Sequence, residues 1–257
     1  MRSFAVAVVA IGATTFGCQA VAVAAPTDYC AELHGGNAGR TCEIQLSETG
    51  YTVDISMPLN YPDQKPVAEY IAATRDAFLN SAKAGASGST QSKLSIKPTE
   101  YSSAIPPRGT QSVVFTVNQN IGGAQPQTTY KAFNWDQTYR KSILFGAAAD
   151  DKDHAPLWQV DDPLKTVAPI VQTELQQQLA PPPPATNTSG TTASATAPAP
   201  APLPIAPAAL YDPNNYQNFA VVNDGVIFFF DQGVLLPASA GGLHVLVPRA
   251  AIDPMIA

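Results

Sequence analysis

Asp150, Asp151, Asp153 and His154 form the densest group of oxygen and nitrogen donors in the sequence. A calcium loop of the helix-loop-helix type needs alternating oxygen ligands, a central Gly and a distal bidentate Glu. No such Gly or Glu stands in register here, so the group reads as a solvated acidic loop beside Ala147, Ala148 and Ala149. Nucleophilic catalysis needs a base beside the nucleophile, and the sequence offers His34, His154 and His244. His34 falls in a Gly-rich stretch, His154 in the acidic loop and His244 in an alternating strand. No Gly-x-Ser-x-Gly elbow, phosphate-binding Gly loop or His-Glu-x-x-His pair occurs. These residues predict no catalytic group, no cofactor and no metal, and hence a chain that is not an enzyme. A carboxylate pair assembled only by folding would escape such a reading, which keeps a carboxylate-based hydrolase open.

The cysteines do different chemistry. Arg2 precedes a run of small and apolar residues from Phe4 to Ala25 that ends in Ala22-Val23-Ala24-Ala25. This is the form of a secretory signal peptide over residues 1–25, with cleavage expected after Ala24 or Ala25. Cys18 lies inside that run, and a Gly-Cys pair there is the alternative signal for lipid attachment. Cys30 and Cys42 then remain as an even pair in an exported chain, and a disulfide is expected between them. A redox-active pair would need closer spacing at a helix start.

Around these groups the periodicity predicts an α+β fold built of mostly antiparallel sheets and two main amphipathic helices. Ile44 and Leu46, then Tyr51, Val53, Ile55 and Met57, alternate with polar residues across a Ser47–Gly50 turn, as a hairpin does. Val67, Tyr70, Ile71, Thr74 and Phe78 form one stripe of a helix that should cover it. Leu94 to Ser103, Val113 to Asn120 and Thr128 to Trp135 read as strands, with Gly85 to Thr90 a loop and Ile105 to Gly109 a break. Ala168, Val171, Leu175 and Leu179 mark a second helix, with Thr166 as its cap and Pro169 in its first turn. Tyr216 to Val222 and Val226 to Phe230 flank Asn223-Asp224-Gly225, a hairpin signal. Phe228, Phe229 and Phe230 suit a strand covered on both faces. His244 to Val247 is a last strand, and Pro248 opens a short terminal helix through Ile252.

Composition bounds the partners. The 257 residues carry 14 Lys+Arg against 20 Asp+Glu and a formal net charge of −6, with no basic run to displace counterions from phosphates. Nucleic acid is therefore excluded as a partner. No apolar run after the signal approaches the roughly 18 residues of a membrane span. Pro181 to Pro207 holds nine of the 24 prolines and no charge, and is expected to be a disordered insertion, residues 181–207, within the second half.

Several longer strings carry a resemblance. Ser103-Ala104-Ile105-Pro106-Pro107-Arg108-Gly109-Thr110-Gln111, Asn215-Tyr216-Gln217-Asn218-Phe219-Ala220-Val221 and Asn223-Asp224-Gly225-Val226-Ile227-Phe228-Phe229-Phe230 resemble the mycobacterial secreted immunogenic proteins of the MPT/MPB antigen type. So do Tyr61 to Lys65, Thr128 to Phe133 and Val245 to Arg249. The resemblance implies export to the extracellular space, antigenicity, no established catalysis and a β-grasp-like C-terminal part. It divides the mature chain into residues 26–140, with the Cys30–Cys42 disulfide, and residues 141–257. The C-terminal hairpin also resembles the extracytoplasmic domain of RsiV-type anti-sigma factors, which implies a lysozyme-binding module as an alternative. The chain departs from those domains at Asp231-Gln232-Gly233-Val234, where they carry an aromatic residue followed by an acid. The expected protein is thus a secreted monomer, extracellular or envelope-associated, that is noncatalytic and binds an unidentified protein or cell-envelope partner.

Overall fold

The computed structural model describes residues 27–84, 90–104, 109–148, 151–179 and 205–257. The expected signal peptide with Cys18, Ala24 and Ala25 lies outside them, as do Asp150 and all but the last residues of the 181–207 insertion.

The chain begins with α1 (Tyr29–Glu32), β1 (Gly36–Ala38), β2 (Thr41–Glu48), β3 (Tyr51–Pro58) and α2 (Gln64–Ala84). Strands β4 (Ser92–Ser103), β5 (Thr110–Asn120), β6 (Gln127–Asp136), β7 (Lys141–Leu144) and β8 (His154–Pro156) follow. All eight strands lie in one sheet in sequence order. Most neighbours are antiparallel, but β3 and β4 run parallel, as do β7 and β8. The first parallel pair is a consequence of α2, which carries the chain back across the sheet before β4 starts, as a crossover must.

The remaining elements are α3 (Leu164–Gln178), α4 (Pro207–Leu210), β9 (Phe219–Val222), β10 (Gly225–Phe230), β11 (Leu243–Pro248) and α5 (Arg249–Ile252). Strands β9, β10 and β11 form a second, antiparallel sheet in the order β11-β10-β9. Helix α2 buries Val67, Ile71 and Phe78 against Ile55, Ile96 and Phe115 on one face of the large sheet. The opposite face meets the small sheet, where Val114 and Ala132 pack on Ala220 and Phe229. Phe228 and Phe230 turn the other way, into a core shared with Val167, Val171 and Leu175 of α3. The fold is therefore a four-layer α-β-β-α stack. The three consecutive phenylalanines suit it because successive side chains of a strand point to opposite faces, both of them covered here.

Two local expectations need correction. Helix α3 starts at Leu164 behind Pro163, which makes no side-chain cap, so Thr166 is inside the first turn and is not the cap. Pro169 then falls beyond that first turn. It is tolerated because it and Lys165, whose carbonyl would have received the missing N–H, both face solvent. The hairpin between β9 and β10 turns at Asn223 and Asp224, while Gly225 already pairs with Val222. Gly225 has φ +150°, and a Cβ there would overlap the Val247 carbonyl oxygen. The neighbouring Asp224 carbonyl accepts the Arg249 N–H at 2.7 Å.

The two sheets are also joined through the edge of β6. The backbone N–H groups of Thr128, Tyr130 and Ala132, each two residues apart, all point toward the small sheet. They donate to Gln232 Oε1 at 2.9 Å, Asp231 Oδ1 at 2.7 Å and Asn218 Oδ1 at 3.0 Å. Side chains thus supply the acceptors that a neighbouring strand would otherwise provide. No helix among the described residues is long and apolar enough to cross a membrane.

Candidate active site

Strands β6 and β7 pair only at Trp135–Ser142 and Asp136–Lys141. Beyond that short ladder they part, and a cleft of about 320 Å³ opens in the fork, closed on its far side by residues of the small-sheet unit. Phe133, Ile143, Phe145 and Phe219 give it an apolar lining. Lys131, Asn134, Ser142, His154 and Gln217 bring polar groups into the same space.

Ser142 and His154 are direct partners across the parallel β7–β8 ladder. Paired residues of adjacent strands stand on one face of a sheet, with the strands about 4.8 Å apart, so serine and imidazole are neighbours. No direct hydrogen bond joins them. Contacts of this kind commonly tighten only when substrate is present.

Asp151 fixes the histidine. Its Oδ1 accepts the N–H of Asp153 at 2.8 Å and that of His154 at 3.0 Å, while Oδ2 meets His154 Nδ1 at 3.0 Å. The Asp153 N–H first, then the His154 N–H and imidazole, hold the Asp151 carboxyl below its ordinary range. A carboxylate at Oδ2 assigns the proton to Nδ1 and leaves Nε2 with its lone pair. Hydroxyl, imidazole and carboxylate are the three residue types that nucleophilic hydrolases combine.

Asn134 is 4% exposed, donates through Nδ2 to the Phe219 carbonyl at 2.9 Å, and leaves Oδ1 without a partner. Lys131 Nζ lies 5.4 Å from the centre of the Phe133 ring. Asp63, which also lines the cleft, is raised above the usual carboxylate range, mainly by burial and then by Glu69.

The sequence reading of His154 as part of a solvated loop is therefore corrected: it begins a strand and lines a cleft. Nothing in the sequence singles out Ser142. The one signal available was the Asp-x-x-His spacing, since an Asp side chain readily caps backbone N–H groups two and three residues on. The other histidines stay apart from this site. His34 is exposed in the turn after α1, and His244 stacks on Phe229 at 6.1 Å. Among the described residues no group of three or more His, Cys, Asp or Glu could hold a metal ion. Cys30 and Cys42 are joined by a disulfide with Cα atoms 5.6 Å apart, at the β1–β2 end of the sheet order, opposite the β7–β8 end. A larger depression of about 640 Å³ near Trp158 and Tyr211 contains no nucleophile–base pair.

Comparison with known proteins places this chain in a family. The chain is 50% identical over 241 residues to immunogenic protein MPB64 of Mycobacterium bovis, covering 93% of both chains. The same figures hold for immunogenic protein MPT64 of Mycobacterium tuberculosis. The chain belongs to the MPB64/MPT64 immunogenic protein family. A further relative, esterase Rv3036c of Mycobacterium tuberculosis, is 36% identical over 227 residues and 88% of each chain. Residues 156–250 also match the family described as Protein of unknown function (DUF3298), a span that runs from the end of β8 through α3 and the small sheet. In this chain the cleft lies where that span meets the N-terminal sheet.

Proposed function

We propose that this chain is exported and acts outside the cell by holding an apolar component of the cell envelope in the β6–β7 cleft. The apolar N-terminal run and the disulfide support export. The observation that carries the binding reading is the cleft itself, lined by Phe133, Phe145 and Phe219 with Lys131, Ser142 and His154 beside them. A concave site that combines aromatic walls with a few polar groups is the usual form of a small-ligand site. Hydrolysis is a second reading, favoured by the Asp151–His154 contact and by the relative named an esterase. A lysozyme-binding role gains no support, because Asp231 and Gln232 are engaged with β6.

The test is calorimetric titration of the mature protein with a monoacylglycerol ether, which presents an acyl-like chain and hydroxyl donors but no cleavable ester. Saturable binding that weakens at least tenfold in Phe133→Asp supports the reading. Equal binding by the wild type and by Phe133→Asp would place the ligand elsewhere.

A further inference from the structure

We infer that Ser142, His154 and Asp151 form a hydrolytic relay for apolar carboxylic esters. The inference rests on the cleft being a ligand site, and goes beyond it by assigning a reaction. Three features of separate origin converge: the β7–β8 register places Ser142 beside His154, the Asp151 side chain fixes the imidazole through Nδ1, and Ser142 and His154 both line one cleft.

The chemistry balances with water alone. Ser142 Oγ attacks the ester carbonyl carbon while His154 Nε2 takes the hydroxyl proton. The tetrahedral intermediate collapses, the C–O bond to the alcohol breaks, and Nε2 returns the proton to the departing alkoxide. An acyl-Ser142 ester remains. A water molecule then gives its proton to Nε2 and attacks the acyl carbon, and the acid leaves as Ser142 regains its hydrogen. Lys131 is the cation of the lining available to the negative charge on the intermediate. Asp151 does not touch the ester; it is a positioning residue that stabilises the imidazolium formed in each half-reaction. The substrate class follows from the walls: Phe133, Phe145 and Phe219 favour an apolar acyl group, and about 320 Å³ admits a short or medium chain.

The experiment uses the mature protein with p-nitrophenyl butyrate and, separately, diethyl p-nitrophenyl phosphate, which leaves a stable phosphoryl group on a nucleophilic serine. The wild type should turn over the ester and take up one phosphoryl group at Ser142 by peptide mass mapping. Ser142→Ala should lose both with its circular dichroism unchanged. Asp151→Asn keeps the Oδ1 acceptor for the Asp153 and His154 N–H groups but turns an amide N–H toward Nδ1, which favours the wrong tautomer. Its kcat should fall at least about 100-fold with KM and the circular dichroism unchanged. Turnover retained by Ser142→Ala, or a label on another residue, overturns the assignment. A wild type that binds the ether without turning over ester also overturns it and leaves the binding reading standing. Absence of both binding and turnover removes the cleft reading as well.

Discussion

Asp231 accepts a backbone N–H from β6 yet is half-buried, and burial raises its carboxyl above the ordinary range against the lowering effect of the Tyr130 N–H. Because the folded value lies above the unfolded one, folding takes up protons between the two. Stability associated with this group is present at low pH and lost as pH rises through the folded value. Asp231→Asn keeps the acceptor without the charge. Its melting midpoint at pH 7 should equal or exceed that of the wild type, and the difference should vanish below about pH 4; a lower midpoint at pH 7 would contradict this. Gly225 makes the opposite point, since its φ and its approach to the Val247 carbonyl leave no space for a Cβ. Gly225→Ala should cost more than about 2 kcal/mol in urea unfolding. The glycine was legible in the sequence as part of a turn, whereas its contact with β11 was not, because that partner lies 22 residues downstream of it. The candidate relay was illegible for the same reason: Ser142 gains meaning only from the strand that pairs with it.

At the scale of elements, β2, β3, α2 and β10 were readable because each buries one face, or both, with a period that survives in the sequence. The parallel β3–β4 pair follows from the crossover through α2, whereas β7 and β8, four and three residues long, are too short to show a period in the sequence. The start of α3 was misplaced because Thr166 offers a cap by residue type, while the buried Pro163 and Leu164 decide where the helix begins. Phe228 packs against Phe145, Trp158, Tyr216 and Phe219. Truncation of such a residue leaves a cavity, so Phe228→Ala should destabilise by about 3–5 kcal/mol in chemical denaturation. A loss below 1 kcal/mol would mean that this aromatic cluster repacks.

Across the whole molecule, covalent and noncovalent devices divide the work. The Cys30–Cys42 bridge spans 12 residues and restrains the unfolded chain by about 3 kcal/mol in the chain-entropy account. The double variant Cys30→Ala, Cys42→Ala should therefore melt roughly 6–12 °C lower in calorimetry. At the other device, Asn218→Leu removes the acceptor of the Ala132 N–H and should cost about 1–3 kcal/mol. That row of three amides has a temporal consequence. The acceptors lie 86, 101 and 104 residues after the amides they satisfy. Until that late stretch of chain arrives, residues 127–134 form a bare sheet edge, a template for pairing with another nascent copy. Refolding yield should drop steeply with protein concentration, and a separate peptide spanning residues 205–257, added at the start, should restore it. The C-terminal unit would then serve, before any ligand is met, as an internal guard against self-association.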